Sequence, residues 1–228
     1  MKIVTSIGHS RIERQQKCIA SWLAVGCEVT AVQSAGEADV LIKDFPQVRF
    51  VETSLVGDLF GKPKFVRLSA MLNEAPCLIL NSDIEVRSTP EAFAERWSPA
   101  GDKKIKLGIR WDEDPETKQM SMLKWGIDAF LITPEIVADL PDIGMTMGMP
   151  AWDYWIPIHL SKRRYEIITN KEPELIHEDH KRNWSDRDYE IGVSIIQNKY
   201  RMNRTQAALQ IQRLTGRSKV PVTRRRIR

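Results

Sequence analysis

"CLILNSDIEV", residues 77–86, decides how the rest of the chain is read. Cys77, Leu78, Ile79 and Leu80 make an unbroken apolar run, as in a short strand buried on both faces. Asn81, Ser82, Asp83 and Glu85 then set amide, hydroxyl and carboxylate groups at its end. A core strand with such an ending finishes either in a solvated turn or at a place that holds something positive. In an extended chain Asp83 and Glu85 point the same way, with Asn81 in the same phase. Two carboxylates on one face repel each other unless a cation or a proton stands between them. Oxygen ligands of this kind suit Mg2+ or Mn2+.

Upstream, strand and helix patterns alternate. Residues 2–7, "KIVTSI", are rich in β-branched side chains and read as a strand. Ile12, Cys18, Ile19, Trp22 and Leu23 then repeat at helical spacing, with Ser10 as N-cap and Gly26 as the stop. "EVTAVQS" (28–34) is a second strand, "VLIKDF" a short apolar run and "VRFVET" a further strand. "KFVRLSAMLNEA" (64–75) reads as an amphipathic helix, with Phe65, Leu68, Met71 and Leu72 on one face. The alternation implies an α/β domain with a mostly parallel central sheet and helices packed on both faces.

Downstream the pattern is mixed. Short helices are expected at 90–97 and 134–140, each opened by proline, and strands at 104–111, 125–133 and 165–169. Residues 112–119, 142–150 and 176–184 read as loops. A helix is expected over 151–163, disturbed by Pro157. Ser185 and Asp188 stand at capping-box spacing before a helix to residue 200, and a last helix is expected over 204–214.

Composition narrows the classes. The 228 residues suffice for one domain with a sizeable core and no disulfides. No apolar run reaches the length of a membrane span, and "MKIVTSIGHS" lacks the apolar region of a secretory signal. Cys18, Cys27 and Cys77 lie in apolar contexts without CxxC spacing and read as reduced thiols of a cytoplasmic protein. The net charge of +4 is concentrated in the tail "KVPVTRRRIR", where Arg224, Arg225, Arg226 and Arg228 follow Lys219. Such a tail is either a solvated terminus or a contact for phosphate backbones or an anionic membrane surface. The body without it is close to neutral and shows no nucleic-acid groove.

In open α/β sheets ligands gather at the carboxyl ends of the strands. The first strand ends in Thr5, Ser6 and Ile7 before a helix start, where backbone amides suit a phosphate. The second ends near Gln33, Ser34 and Glu37. "IHEDH" places His177 and His180 after a strand, so one of them can return to that edge; the spacing is not the helical i, i+4 of a zinc protease. Lys62, Lys64, Arg67 and Arg11 either face a diphosphate or are surface charges. Asp153, between Trp152 and Tyr154, either caps a helix or acts as a general base.

These pieces in this order resemble the GT-A glycosyltransferases that use nucleotide sugars. The resemblance rests on "IVTSI", "EVTAVQSAGE", "KFVRLSAML", "LILNSDIEV", "WGIDAFLI", "AWDYW" and "LIHEDH", and covers about residues 1–185. It implies a metal-dependent enzyme that moves a sugar from a nucleotide diphosphate, with UDP favoured, to an acceptor hydroxyl. Asn81-Ser82-Asp83 stands where the family has Asp-x-Asp. Asp83 is then the ligand of Mn2+ or Mg2+, with Asn81 facing the ribose or sugar, or Glu85 compensating in a shifted register. His177, or else His180, completes the metal site. Thr5, Ser6, Ile7, Gln33 and Glu37 flank the nucleotide, with Arg11, Lys64 and Arg67 near its phosphates. Asp153 is the base of an inverting reaction, or positions the acceptor in a retaining one.

The resemblance further implies one catalytic domain over 1–216, with a nucleotide-binding half (1–100) and an acceptor-binding half (101–216), followed by a basic tail (217–228). Short length and a basic tail are similar to phage-type transferases that modify hydroxymethylated pyrimidines in DNA, which would act in the host cytoplasm. A glycan or a small molecule is the other acceptor class. A sugar nucleotidyltransferase would need a glycine-rich phosphate loop that "SIGHSRIERQ" lacks. A non-enzymatic nucleic-acid-binding module leaves the carboxylates and histidines without a purpose. A metal nuclease would want a lysine where Arg87 stands.

Overall fold

The computed structural model describes residues 1–57, 65–180, 185–203, 205, 206, 209, 210 and 213. Lys62, Lys64, Lys219 and the tail arginines lie outside the described residues, as does much of the helix expected over 204–214.

The described chain opens with β1 (Lys2–Thr5), α1 (Ile12–Ala24), β2 (Glu28–Ser34), α2 (Glu37–Leu41), β3 (Arg49–Thr53), β4 (Val56–Gly57), β5 (Phe65–Val66) and α3 (Leu68–Leu72). β6 (Cys77–Leu80), β7 (Ile84–Val86), α4 (Pro90–Arg96), β8 (Lys104–Glu113), β9 (Met120–Ile132) and α5 (Pro134–Asp139) follow. It continues with α6 (Trp152–Lys162), β10 (Glu166–Asn170), β11 (Leu175–Glu178) and α7 (Asp186–Tyr200). Nine strands form one sheet in the order β3-β2-β1-β6-β9-β8-β11-β7, with β10 also paired to β8. β1, β2, β3 and β6 are mutually parallel, as are β8, β10 and β11. The antiparallel joints are β9 against β6 and β8, and β7 against β11. The sheet is therefore mostly parallel and mixed in its C-terminal half, as the alternating pattern implies.

Strand alternation divides the core into two layers. Ile3, Leu78, Leu80, Ala129 and Leu131 face α1, α2 and α4, where Cys18, Ile19, Trp22, Leu41, Phe93 and Trp97 are buried. Val4, Ile79, Phe130 and Ile132 face the other way, toward Leu68, Met71, Ile136, Trp152, Trp155, Val193 and Ile196 of α3, α5, α6 and α7. Helices thus cover both faces. Ser185 and Asp188 form the expected capping box at the start of α7.

Four local expectations are corrected. The helix expected over 64–75 is only Leu68–Leu72, because Val66 pairs with Val56 and Arg67 bridges to Thr146, which holds the preceding backbone extended. The run "VLIKDF" begins inside α2. Residues 112 and 113, expected in a loop, extend β8, with the connecting loop over 114–119. The loop expected from residue 176 begins as β11, which fills the gap between β8 and β7. Its polar composition hides a strand that the sheet needs.

Two contacts tie α6 and α7 to this frame. A Cβ on Gly192 would stand 1.9 Å from the Pro150 carbonyl oxygen, so α7 crosses the residues that lead into α6 at a distance only glycine allows. His159 is buried, with Nε2 2.8 Å from the Asp139 carbonyl oxygen and Nδ1 2.6 Å from the Tyr200 hydroxyl. A carbonyl only accepts, so Nε2 carries the hydrogen and Nδ1 accepts from Tyr200, which itself accepts from Trp155 Nε1 at 3.1 Å.

Gly192→Ala is expected to cost about 1–3 kcal/mol by overpacking against backbone, read as a lower urea midpoint. His159 carries a pKa below its ordinary 6.5, chiefly because burial disfavours the charged ring. A depressed value means that the folded state binds fewer protons than the unfolded chain, so this contribution is present above 6.5 and lost as pH falls below it. The urea midpoint of His159→Gln should therefore fall less than that of the parent between pH 7.5 and pH 5.

Candidate metal centre

β6 stops at Leu80, and the chain turns through Ser82 and Asp83 before β7 begins at Ile84. Trp22 Nε1 donates to the Ile84 carbonyl at 2.8 Å, and the Val86 amide donates to Ser21 Oγ at 2.8 Å, so α1 holds β7 from beneath. The turn separates the two carboxylates that an extended chain would have aligned. Asp83 faces the ligand edge. Glu85 pairs instead with Arg14 at 3.4 Å, Lys17 at 3.0 Å and Arg87 at 3.2 Å, and stands outside the metal-ligand cluster.

His177 reaches Asp83 through strand register. In β11 it lies beside Ile84 of β7 on one side and Asp112 of β8 on the other. Such lateral partners share a face, and His177 Nδ1 stands 3.0 Å from Asp112 Oδ1. Nδ1 therefore carries a hydrogen toward the carboxylate, and Nε2 is left facing Asp83 Oδ2 at 3.5 Å. His180 Nε2 lies 3.0 Å from His177 Nε2 and 3.6 Å from the same Asp83 oxygen. Among the described residues, Asp83, His177 and His180 form the cluster whose ligand atoms fall within 4.8 Å of one another. Ligands held at about 2.0–2.2 Å from one ion stand about 3–3.6 Å apart, so these three fit a divalent cation. Asp112 stands beside His177 Nδ1, where an outer carboxylate would orient the imidazole if it held an ion.

The charges point the same way. Burial alone would lower the pKa of His177, but its hydrogen bonds to Asp112 and Asp83 lift it to about 9. Burial alone would raise Asp83, yet His177, His180 and Arg110 hold its carboxyl far below the usual range. This corner draws in positive charge.

Three residues at its heart escape the sequence reading: Arg110 and Asp112 on β8, and Asp128 on β9. Asp128 is nearly fully buried, and burial raises its pKa despite Arg110. The amide Nδ2 of Asn81 donates to Asp128 Oδ1, while Asp128 Oδ2 lies 3.3 Å from Arg110 Nη1. Arg110 Nε lies 3.1 Å from Asp112 Oδ1. The available signal was the lone charge of the apolar strand "WGIDAFLI", since a buried charge needs a partner; in "KIKLGIRW" Arg110 is one of three cations and does not stand out. Asp153, in the first turn of α6, accepts a backbone hydrogen bond from Ile127. Burial first, and then Asp128, push its carboxyl well above the ordinary range.

The remaining candidates surround or leave this centre. Arg11, in the left-handed conformation before α1, brings Nη2 to 3.9 Å from Asp83 Oδ2. Thr5 is fully buried at the end of β1, and its Oγ1 has no hydrogen-bond partner among the described residues. Ser6 donates to Gln33 Oε1 at 2.7 Å, and Gln33 Nε2 donates to the Ile7 carbonyl at 2.6 Å, so Gln33 shapes the β1 loop. The Ile7 side chain belongs to the core. Glu37 accepts from the amide and hydroxyl of Ser34, with His9 Nε2 at 3.5 Å. Arg67 is turned to Asp142 at 3.3 Å, which matches its charge. Ser82 lies in the turn itself.

No protein-family model matches the chain, and no curated protein sequence matches it. Solved structures do. The mannosyltransferase PcManGT from Pyrobaculum calidifontis, in complex with GDP-Man and Mn2+, superposes with a TM-score of 0.51 at 12% identity, covering 96% of this chain and 76% of that one. S. aureus TarS 1–349 superposes with a TM-score of 0.50 at 10% identity, covering 93% and 69%. At this identity the likeness shows the fold, and the fold is that of GT-A glycosyltransferases.

Asn81 departs from the aspartate of Asp-x-Asp, and Asp128 supplies a physical reason: an amide donates to this buried carboxylate where a second carboxylate would repel it. Asn81→Asp is accordingly expected to destabilise the fold by about 1–3 kcal/mol and to leave Mn2+ affinity no better than in the parent. Thermal melts and Mn2+ titration measure both; a variant with full stability and tighter metal binding contradicts the explanation.

Proposed function

We propose that the protein is a metal-dependent glycosyltransferase that moves a sugar from a nucleoside diphosphate to an acceptor hydroxyl. One observation carries the reading: Asp83, His177 and His180 converge at the carboxyl end of β6 in a GT-A fold. The neighbour PcManGT was solved with GDP-Man and Mn2+, which supports a sugar nucleotide and Mn2+ as the ligands of the corresponding place. Two imidazoles beside one carboxylate favour Mn2+ over Mg2+, which prefers all-oxygen surroundings.

Asp83, His177 and His180 would hold the ion, whose positive charge stabilises the departing diphosphate. Arg11, next to Asp83, adds a second cation on the same side. Thr5 and the loop pinned by Gln33 and Ser6 border the nucleotide, with Glu37 at the start of α2, just past β2, offering an acceptor to a base N–H. Asp153 faces the acceptor. A carboxyl raised by burial and by Asp128 is a stronger base than an exposed one, which suits removal of a hydroxyl proton in an inverting reaction. Trp152 and Trp155 flank it inside the core and fix the helix that carries it.

For the acceptor, the basic tail with Arg224, Arg225, Arg226 and Arg228 supports hydroxymethylated pyrimidines in DNA. Phosphate contacts from such a tail are independent of sequence and weaken with salt.

The experiment is nucleotide release from a panel of UDP- and GDP-sugars with and without Mn2+, followed by transfer to hydroxymethylated duplex DNA, glycans and small alcohols. Metal-stimulated release from at least one donor is expected. Asp83→Ala should abolish it in a folded protein, and Asp153→Asn should lower turnover by about 10²–10⁴-fold with donor affinity retained. No release from any donor, or full activity in Asp83→Ala, overturns the reading. Removal of residues 219–228 should lower turnover on DNA alone if DNA is the acceptor.

A further inference from the structure

We infer that Arg110 is a positioning residue: it holds the two carboxylates that aim His177 at the metal and Asn81 at the donor. The inference rests on the metal-site reading above. Arg110 lies on β8 inside the second of two register shifts against β9, the one between Ile109 and Trp111; the first falls between Gly108 and Ile109. Such irregularities re-aim a side chain. Its guanidinium meets Asp112 Oδ1 at 3.1 Å through Nε and Asp128 Oδ2 at 3.3 Å through Nη1. Each carboxylate continues to a residue of the site. Asp112 Oδ1 lies 3.0 Å from His177 Nδ1, and Asp128 Oδ1 accepts from Asn81. One planar cation thus anchors two arms, one ending on His177 and the other on Asn81.

The chemistry explains why arginine stands there. Both contacts are ion pairs by distance, since Arg110 Nε and Asp128 Oδ2 have no hydrogen-bond partner among the described residues, and the planar, delocalised guanidinium spreads its charge over two carboxylates at once, which a lysine point charge does less well. Buried carboxylates without a counter-charge would turn away from each other or draw in water. Asp112 would then lose its place beside Nδ1, and the His177 ring would lose the contact that keeps Nε2 toward Asp83. Arg110 itself touches no ligand of the ion. Beyond its charge, which acts on Asp83 directly, its positioning effect on the ion passes through Asp112 and its effect on Asn81 through Asp128.

The test is Mn2+ binding by calorimetry in the absence of any sugar nucleotide, on full-length protein. Urea midpoints and circular dichroism report whether each variant is folded. Arg110→Met should weaken Mn2+ binding by about 10–100-fold, the usual effect of losing an outer-layer partner. Arg110→Lys, which keeps the charge and serves as the second variant if the first does not fold, should recover part of that loss. Asp112→Asn should weaken binding similarly, and combining it with Arg110→Met should add little, because both act on one arm. Asp128→Asn should leave Mn2+ affinity within about 3-fold of the parent, as the other arm does not end on the ion. Unchanged Mn2+ affinity in a folded Arg110→Met or Arg110→Lys protein overturns the inference, and so do losses that add fully between Arg110 and Asp112. A parent protein that binds no Mn2+ overturns the metal reading and this inference together. A parent that binds Mn2+ but turns over no donor overturns the proposed function alone.

Discussion

The structure turns on a conflict at the end of β6. A strand buried on both faces must stop being apolar at Leu80 and present polar groups within the next three residues, while the sheet continues around it. Buried polar groups are tolerated only when paired. Here the pairing comes from every neighbouring element. The Asn81 amide N–H meets the Asp128 carbonyl at 3.4 Å and its side chain meets the Asp128 carboxylate. The Ile84 carbonyl takes the Trp22 indole. Asp83 takes the histidines supplied by β11 and the residues after it. The turn is thus fixed at both ends, and the carboxylate at its tip is free to point at the ligand edge.

Charge balance follows from the same place. Burial alone would lower the Arg110 pKa, but Asp128, Asp112, Asp83 and Asp153 all act on it and together raise it. Four carboxylates around one guanidinium are under-compensated, and the structure shows how the excess is absorbed. Burial pushes Asp128 and Asp153 toward their neutral forms, while at His177 burial is outweighed by the hydrogen bonds to Asp112 and Asp83, which favour the protonated ring. A divalent ion beside Asp83 would meet that same excess of negative charge. Glu85 and Glu113 are separately balanced by Arg87, 3.2 Å from Glu85 and 2.7 Å from Glu113, and by Lys17, 3.0 Å from Glu85.

What was legible in the sequence follows from which signal each element carries. The strands with apolar periodicity and the helices with caps can be read directly: "EVTAVQS", "CLIL" and the capping box at Ser185 all fall where the pattern puts them. β11 cannot be read, because "LIHE" owes its strand to partners on both sides rather than to its own composition. The paired phase of Asp83 and Glu85 fails for a similar reason: period-two reasoning holds within a strand, and a turn interrupts it at Ser82 and Asp83. His177 and His180 are visible as a rare residue type in a cluster, but Asp112 sits in what reads as an exposed loop. Arg110 and Asp128 become meaningful only once β8 and β9 are seen side by side.

The backbone makes the same commitment at a second level. Two non-glycine residues with positive φ stand immediately before helices that deliver site residues: Arg11 at φ 55° before α1 and Ala151 at φ 70° before α6. A side chain in the left-handed region is unfavourable and persists only where surrounding contacts over-determine it. At Ala151 those contacts are visible. Trp152 is buried and packs against Phe130 with ring centroids 5.1 Å apart, and α7 crosses Pro150 through Gly192. The start of α6 is thereby locked from two sides, and Asp153 enters the centre at a fixed angle. At Arg11 the anchor is Gln15, whose side chain bonds the backbone of Gly8 and Ser10 and so closes the loop after β1 on itself. Strain tolerated at both helix entrances, each secured by packing or hydrogen bonds, is how a sheet edge keeps Arg11 beside Asp83 and Asp153 near Asp128 and Arg110 without a glycine-rich loop.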